Sequence, residues 1–166
     1  MNLAAADTRP LHLKLARAMA LVAALALGCS CRSLPPLPPA NLSAPGWTLR
    51  QGQAVWTPAK GKSDLAGELL VATNASGDFF VQFSKPPFTL ATAQKSGDAW
   101  QIDFGSEKHR WACRGTPSSR LVWFELPRVL GGEKPGRDWK FRWNGSERWR
   151  LQNWRTGESL EGVMFP

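Results

Sequence analysis

Histidine is scarce in this chain, and so are the short motifs that mark common enzyme classes. The 166 residues include only two histidines, His12 and His109, and three cysteines. The sequence has no Gly-x-Ser-x-Gly, no His-Glu-x-x-His and no phosphate-cradling glycine loop, the motifs of serine hydrolases, zinc proteases and nucleotide-binding enzymes. We therefore expect that the protein is not an enzyme, with no catalytic residue, no metal site and no cofactor.

An apolar run long enough to span a bilayer comfortably is also missing. The run Ala18–Leu27 is too short, and three basic residues precede it, which is the layout of a secretory signal. It ends in Leu25-Ala26-Leu27-Gly28-Cys29, which resembles the lipobox of bacterial lipoproteins, where the cysteine is lipidated and the peptide before it is removed. We predict a lipoprotein signal peptide over residues 1–28 and lipid attachment at Cys29. An ordinary cleaved signal or an uncleaved anchor is the alternative.

Acidic residues are fewer than basic ones, 13 against 21, and the formal net charge is +8. Without residues 1–28 the chain keeps 18 basic and 12 acidic residues, a charge of +6. A basic exported protein beside a membrane usually meets anionic lipid headgroups or envelope glycans. Nucleic acid belongs to another compartment, so we expect no nucleic-acid partner.

Residues 29–45 are predicted to be a lipidated cysteine followed by a proline-rich tether. The segment contains five prolines, which remove backbone donors and favour the extended polyproline conformation. At about 3 Å per residue such a spacer reaches up to roughly 40 Å when fully extended. If Cys29 carries lipid, Cys31 and Cys113 either form one disulfide in an oxidising compartment, or Cys31 remains a spare thiol near the anchor.

Residues 46–166 have the length of a single domain and hold all nine tryptophans, which is enough apolar mass for one core. Period-two alternation dominates this part and predicts antiparallel strands. Asn144-Gly145 is the strongest hairpin signal, because type I′ turns need positive φ at both central positions. The predicted strands are Trp47–Trp56, Glu68–Thr73, Asp78–Phe83, Phe88–Ala93, Trp100–Phe104, Lys108–Cys113, Trp139–Trp143, Arg148–Trp154 and Ser159–Phe165.

One helix is predicted between the sixth and seventh of these strands. Thr116 is the expected N-cap, Pro117 stands at the first helical position, and the helix is expected to end before Pro127. A further short turn is predicted over residues 127–130. The order of elements is therefore a run of antiparallel strands, a helical insertion and a closing group of strands.

Several segments, together with the lipobox and the tether, carry a resemblance to a known family. They are Gly67-Glu68-Leu69-Leu70-Val71, Phe79-Phe80-Val81-Gln82-Phe83 leading into Lys85-Pro86-Pro87-Phe88, Trp111, and Leu121-Val122-Trp123-Phe124-Glu125-Leu126-Pro127. Together they resemble the LolB side of the LolA/LolB lipoprotein-localisation fold. The resemblance covers most of residues 46–166 and rests on the order of elements and on scattered residues.

The resemblance implies a mainly β fold, an unclosed antiparallel β-barrel with a short helical lid over an apolar cavity. It implies an outer-membrane lipoprotein, anchored through Cys29 on the periplasmic face, that accepts acylated lipoproteins from a periplasmic carrier and inserts them into the membrane. We expect the protein to be a monomer. Ser30 follows Cys29, where an aspartate would retain an enterobacterial lipoprotein in the inner membrane. The family's membrane-transfer loop matches Pro86, Pro87 and Phe88, although the paired prolines depart from that loop's pattern.

The large apolar residues of the predicted strands and helix are candidates for the lining of such a cavity. They can bind acyl chains, because burial of apolar surface contributes about 25 cal/mol per Å² and needs no directional partner. The alternative is that they fill a solid core, as period-two aromatic residues commonly do. The candidate lining residues are Trp56, Leu70, Phe80, Phe83, Trp100, Ile102, Phe104, Trp111, Trp123 and Phe124.

Basic and aromatic residues alternate near the C-terminus, at Arg142-Trp143 and at Arg148-Trp149-Arg150. Such a hairpin can bind headgroup phosphates or glycan, with tryptophan at the interface and arginine donating bidentate hydrogen bonds. The simpler interpretation is a hairpin with one buried and one solvated face. An alternative function follows from this region: a non-catalytic envelope scaffold or assembly lipoprotein with a filled core, which docks a partner through a basic aromatic face.

Overall fold

The computed structural model describes residues 34–165, except for the side chains of residues 106–108. These residues fall within one unit of the chain, Ser33–Pro166. The predicted signal peptide, Cys29, Cys31 and the first part of the tether lie outside the described residues. Between residues 34 and 165 no helix is long and apolar enough to cross a membrane.

Nine strands and one helix provide the regular structure of the described residues, and all nine predicted strands are confirmed with small differences at their ends. The first six strands are β1 (Trp47–Thr57), β2 (Leu65–Asn74), β3 (Phe79–Lys85), β4 (Phe88–Ser96), β5 (Ala99–Phe104) and β6 (Ser106–Arg114). The helix and the last three strands are α1 (Val122–Leu130), β7 (Trp139–Asn144), β8 (Arg148–Asn153) and β9 (Ser159–Met164).

All nine strands belong to one antiparallel sheet with the order β6-β5-β4-β3-β2-β1-β9-β8-β7. The strands from β1 to β6 form a meander, in which each strand pairs with the next along the chain. The last three strands extend the sheet on its other side, because β9 returns to pair with β1. β6 and β7 are the edge strands and do not pair with each other, so the sheet is open. The predicted mainly β, antiparallel fold is confirmed in this form.

Two glycines allow β9 to approach β1 closely. A Cβ atom added at Gly52 would overlap the backbone oxygen of Val163, and one added at Gly162 would overlap that of Gln53. Because the obstacle is backbone rather than a movable side chain, a larger residue at either position requires the two strands to separate. The two glycines therefore allow β1 and β9 to pair, and this pairing connects the meander to the last three strands.

The helix differs from the prediction at both ends. It begins at Val122 rather than after Thr116, and it continues through Pro127 to Leu130. Proline removes a backbone hydrogen bond and usually ends a helix. Eight of the nine residues of α1 are buried, however, and the packing of their side chains outweighs that lost bond. The predicted helix end and the predicted turn after it are therefore parts of one helix.

The helix packs on one face of the sheet, the inner face, where it contacts β2, β3, β4 and β8. Val71, Val81 and Ala93 lie side by side on this face and are at most 2% exposed. Arg50 of β1 reaches the end of the helix, where its Nη1 donates a hydrogen bond of 3.1 Å to the backbone oxygen of Leu130. The core therefore lies between α1 and the inner face.

The proline-rich segment before β1 contacts the opposite, outer face of the sheet. The backbone N–H of Leu37 donates to Oε1 of Gln101 at 2.8 Å, and Nε2 of Gln94 donates to the backbone oxygen of Pro38 at 2.9 Å. Both glutamines are only 8% exposed. At Leu37 and Pro38 the segment is thus bound to β5 and β4, a contact that its prolines do not predict.

Candidate functional site

The inner face and α1 bring together eight aromatic rings, the inner aromatic cluster. Between ring centroids, Trp123 of α1 lies 5.0 Å from Trp56 and 5.4 Å from Phe83. Its neighbour Phe124 lies 5.1 Å from Trp100. Tilted and edge-on contacts at these separations are attractive. The cluster consists of Trp56, Phe79, Phe83, Trp100, Phe104, Trp111, Trp123 and Phe124.

Two of the ten candidate lining residues, Leu70 and Phe80, do not face the interior. Side chains alternate between the faces of a strand, and their neighbours Val71 and Phe79 belong to the core, so Leu70 and Phe80 lie on the outer face. Phe79, Val81 and Phe83 occupy alternate positions of β3 and share the inner face. Alternation therefore points to Phe79, which the candidate set missed by combining Phe80 with Phe83. The eight residues that lie on the inner face or in α1 are Trp56, Phe83, Trp100, Ile102, Phe104, Trp111, Trp123 and Phe124.

The centre of the interior is packed. Phe83 and Ile102 are 0% exposed, and Trp123 and Phe124 are 1% exposed. Trp111 differs from them, because it lies on the edge strand β6 and is 54% exposed while its ring lies 5.8 Å from Phe104. The aromatic surface therefore continues from a buried centre to an open edge.

A cavity of about 480 Å³ lies along one side of the helix. Phe79, Pro117 and Phe124 supply apolar walls, and Lys95 and Arg128 supply cations. Nζ of Lys95 donates to the backbone oxygen of Gly77 at 3.1 Å, while Arg128 donates to Glu125 at 3.1 Å and to Glu133 at 2.8 Å. This side of the helix combines apolar walls with charged side chains.

Three buried indole N–H groups have no hydrogen-bond partner among the described residues. They belong to Trp100, Trp123 and Trp149. A buried donor without an acceptor costs about 1–3 kcal/mol, and such groups are rare in native proteins. Two of the three, those of Trp100 and Trp123, lie within the inner aromatic cluster. The interior therefore combines apolar surface with indole N–H groups that can donate to the carbonyl oxygen of a ligand.

The segments beside α1 are held by a small number of polar contacts. Glu125 is 0% exposed, its Oε1 accepts the backbone N–H of Gly136, and its Oε2 accepts from Arg128. On the other side of the helix, Nε1 of Trp139 donates to the backbone oxygen of Ser119. Apart from these contacts and that of Arg50, the helix is held mainly by packing.

Glu158 is a buried carboxyl group next to the inner aromatic cluster. It is 9% exposed, and its Oε1 accepts a hydrogen bond of 3.1 Å from Nε1 of Trp56. Burial raises the pKa of Glu158 to about 7, while the Trp56 hydrogen bond lowers the pKa in opposition. This group therefore changes its charge near neutral pH at the point where β1 meets the cluster.

The chain matches no protein-family model and no curated protein. What the site can do chemically follows from its own residues. It offers apolar ring surface, unused indole donors and a carboxyl group that titrates near neutrality. No group of His, Cys, Asp or Glu among the described residues is placed to hold a metal ion.

The turn between β3 and β4 carries the predicted membrane-transfer residues. Pro86 and Pro87 form the turn, joined by a cis peptide bond, and Lys85 pairs with Phe88 across it. Phe88 is 69% exposed, more than any other large hydrophobic side chain among the described residues. An apolar ring at the tip of a tight hairpin is available for contact with a membrane or a partner.

The disulfide considered between Cys31 and Cys113, the alternative to a spare thiol at Cys31, involves one described residue, Cys113. It lies on β6 and is an exposed free cysteine. Its predicted partner, Cys31, lies outside the described residues, as does the predicted lipid-attachment residue Cys29.

Proposed function

We propose that this protein is a lipid-anchored envelope lipoprotein whose interior binds acyl chains. In this proposal the open sheet is an unclosed barrel, α1 is its lid, and Cys29 anchors the protein to the periplasmic face of the outer membrane. Its ligands are acylated lipoproteins that a periplasmic carrier hands over and that the protein inserts into the membrane, as the resemblance to the LolA/LolB fold implies.

The observation that supports the proposal best is the pair of unpaired indole donors inside the inner aromatic cluster. Rings alone are explained by core packing, but the N–H groups of Trp100 and Trp123 are not satisfied by it. An acyl group attached through an ester or amide supplies both an apolar chain and a carbonyl acceptor. Such a ligand satisfies the donors and gains the apolar burial in one step.

Binding in the centre requires α1 to move, because the rings beneath it are in contact. The described form is in this view the closed state without ligand. Opening must either break three hydrogen bonds or move both of their partners together. These are the bonds from Arg50 to Leu130, from Trp139 to Ser119 and from Gly136 to Glu125. Gly132, which has a φ of +90° just after the helix, provides a point at which the chain can change direction.

Transfer into the membrane is assigned to Phe88. Its ring is exposed at the tip of the β3–β4 turn, where it can enter the interfacial region of a bilayer without unfolding the sheet. Lys85 at the same turn supplies a positive charge for lipid phosphates.

The second candidate function is the non-catalytic scaffold with a filled core. The ring contacts of Trp123 with Trp56 and Phe83 favour it, because they leave the described interior packed. The two functions differ in one property: a carrier binds an acyl ligand in its interior, and a scaffold does not.

The first test measures binding of a palmitoyl ester probe to residues 33–166, which contain the whole sheet, helix and core. Native mass spectrometry gives the stoichiometry, and tryptophan fluorescence gives the affinity. Trp123→Phe keeps an aromatic ring but removes the N–H, so we expect affinity to fall about fivefold, the effect of one hydrogen bond. Trp143→Phe, at an exposed position, is the matched control and is expected to bind as the wild type does. Absence of binding to the wild-type protein favours the scaffold.

The same preparation tests transfer. Phe88→Glu should bind the probe normally yet fail to deliver an acylated client to vesicles, because a carboxylate resists insertion into the interface. Thr89→Glu places the same charge at the next exposed position and is expected to deliver normally. Unchanged delivery by Phe88→Glu would remove Phe88 from the mechanism.

A further inference from the structure

The outer face of β7 and β8 carries a group of four exposed cations, the basic face. Trp139, Phe141 and Trp143 alternate with Lys140 and Arg142 along β7. Trp139 belongs to the core and Phe141 packs against it, so the two basic residues lie on the outer face. Arg148 and Arg150 of β8 lie there too. The basic face consists of Lys140, Arg142, Arg148 and Arg150, all of them exposed.

The strand register brings these charges close together. Arg142 lies directly opposite Arg150, and like charges directly opposite each other across a strand pair destabilise a sheet. Among the ion pairs of the described residues, only Arg150 of the four has a carboxylate partner, Glu161, at 3.3 Å. Both members of that pair are about half exposed, so water screens it. The basic face therefore keeps an excess of positive charge.

Exposed aromatic surface also lies at the end of β7, on the side opposite the basic face. Trp143 is 42% exposed, stands next to the Asn144-Gly145 turn, and lies 5.6 Å from the ring of Phe141. β7 is an edge strand, so no further strand covers this side of the sheet. Because side chains alternate along a strand, Trp143 lies on the opposite face from Arg142, and the basic face is formed by its four cations alone.

We infer that the basic face docks onto anionic phospholipid headgroups and gives the protein a membrane contact separate from its lipid anchor. Phosphates match the site because each guanidinium donates bidentate hydrogen bonds to phosphate oxygens, and a layer of phosphates relieves the repulsion between Arg142 and Arg150. The inference does not depend on acyl binding in the interior. It would hold equally for the scaffold, because it uses only surface residues of β7 and β8.

The test is co-sedimentation of residues 33–166, which lack Cys29, with vesicles. Phosphatidylcholine vesicles containing phosphatidylglycerol are compared with vesicles of phosphatidylcholine alone, at low and high salt. The wild type is expected to bind only the anionic vesicles and to be released by salt. The double variant Arg142→Glu/Arg150→Glu should bind about thirtyfold more weakly or worse, since each basic residue near an anionic surface contributes about one kcal/mol.

Lys60→Glu/Lys62→Glu is the matched control, because both lysines are exposed in the turn between β1 and β2 and the change in net charge is the same. It is expected to stay within about threefold of the wild type. An equal loss in both double variants would overturn the inference, because net charge alone would then explain binding. Equal binding to neutral vesicles, or no vesicle binding by the wild type, would overturn it as well.

Two further measurements separate this inference from the proposed function. Palmitoyl ester binding by Arg142→Glu/Arg150→Glu should equal that of the wild type, because the substituted side chains lie on the outer face. Thermal unfolding confirms that the variant is folded. A basic face that binds an anionic protein while ignoring anionic vesicles would replace the lipid assignment with a protein partner.

Discussion

The two faces of this sheet are covered in different ways. The inner face is apolar, rich in aromatic rings and packed under α1. The outer face is more polar, although it includes Leu70 and Phe80. At β4 and β5 it is covered by the proline-rich segment, and at β7 and β8 it is bare and basic. The inner face is covered through ring packing, whereas the outer face is covered through two hydrogen bonds, one accepted by Gln101 and one donated by Gln94. We therefore expect the inner face to carry most of the folding energy and the outer face to carry contacts that can be exchanged.

Strand β7 shows how alternation places core residues on one face of the sheet and basic residues on the other. In β7 the aromatic residues occupy every second position and the basic residues occupy the positions between them. A shift of one residue would expose the tryptophans and bury the charges. Contact with the core and the proposed contact with anionic headgroups thus use the same six residues, so either face can be changed by mutation without altering the other.

The largest expected effect on the free energy of unfolding comes from removing a buried ring from the core at the inner face. Trp123→Ala removes a ring that contacts Trp56 and Phe83, and loss of a fully buried aromatic side chain costs about 3–5 kcal/mol. Trp143→Ala, at an exposed position, should cost less than about 1 kcal/mol. Chemical denaturation of the two variants measures the difference in the free energy of unfolding. If both variants lost a similar free energy of unfolding, the packing of α1 on the inner face would not determine stability. The expected difference between the two faces would then be wrong.

The second largest effect is a change with pH in the free energy of unfolding, caused by Glu158. Its pKa is raised to about 7 in the folded protein, above its ordinary value of 4.5, so between these values the folded state binds more protons than the unfolded state. The free energy of unfolding should therefore fall as pH rises from about 4.5 to 7 and then level off. Glu158→Gln keeps the hydrogen-bond acceptor for Trp56 without a charge. It should remove this dependence and increase stability at pH 8 by on the order of 2 to 3 kcal/mol.

The control for Glu158 is Glu161→Gln, since Glu161 is an exposed carboxylate three residues further along. This variant should keep the pH dependence of the wild type. The measurement is thermal or chemical unfolding of all three proteins from pH 4 to pH 9. A slope that persists in Glu158→Gln would assign the titration to another group.

The strands could be predicted from the sequence because each one buries a single face, and alternation reports this directly. The end of the helix could not be predicted, because proline usually ends a helix. At Pro127 the burial of the neighbouring side chains outweighs that local preference. The inward position of Phe79 could have been predicted, since Phe79, Val81 and Phe83 alternate with Phe80 and Gln82, whereas the candidate lining combined Phe80 with Phe83. The pairing of β9 with β1 depends on the absence of side chains at Gly52 and Gly162, which alternation does not record.

The docked proline-rich segment was also beyond sequence reasoning. Its prolines predict an extended backbone but not what that backbone touches, and its two bonds to the sheet involve backbone atoms of Leu37 and Pro38. The partners Gln94 and Gln101 give no sign of their role, because polar residues on an outer face are normally solvated. Only the three-dimensional arrangement shows that both glutamines are buried under the segment.

The smallest expected effect comes from releasing this segment. Gln94→Leu keeps roughly the volume of the side chain but removes the donor to the backbone oxygen of Pro38, so we expect a loss of about 1 kcal/mol in the free energy of unfolding. Gln53→Leu, at an exposed position on the outer face of β1, should change stability by less than about 0.5 kcal/mol. Hydrogen exchange at the Leu37 amide is the sharper measurement, because that N–H loses protection when the segment leaves the sheet, even if Gln101 is intact. Unchanged protection in Gln94→Leu would mean that Gln101 alone holds the segment, and the outer face would then be covered by a single bond rather than by two.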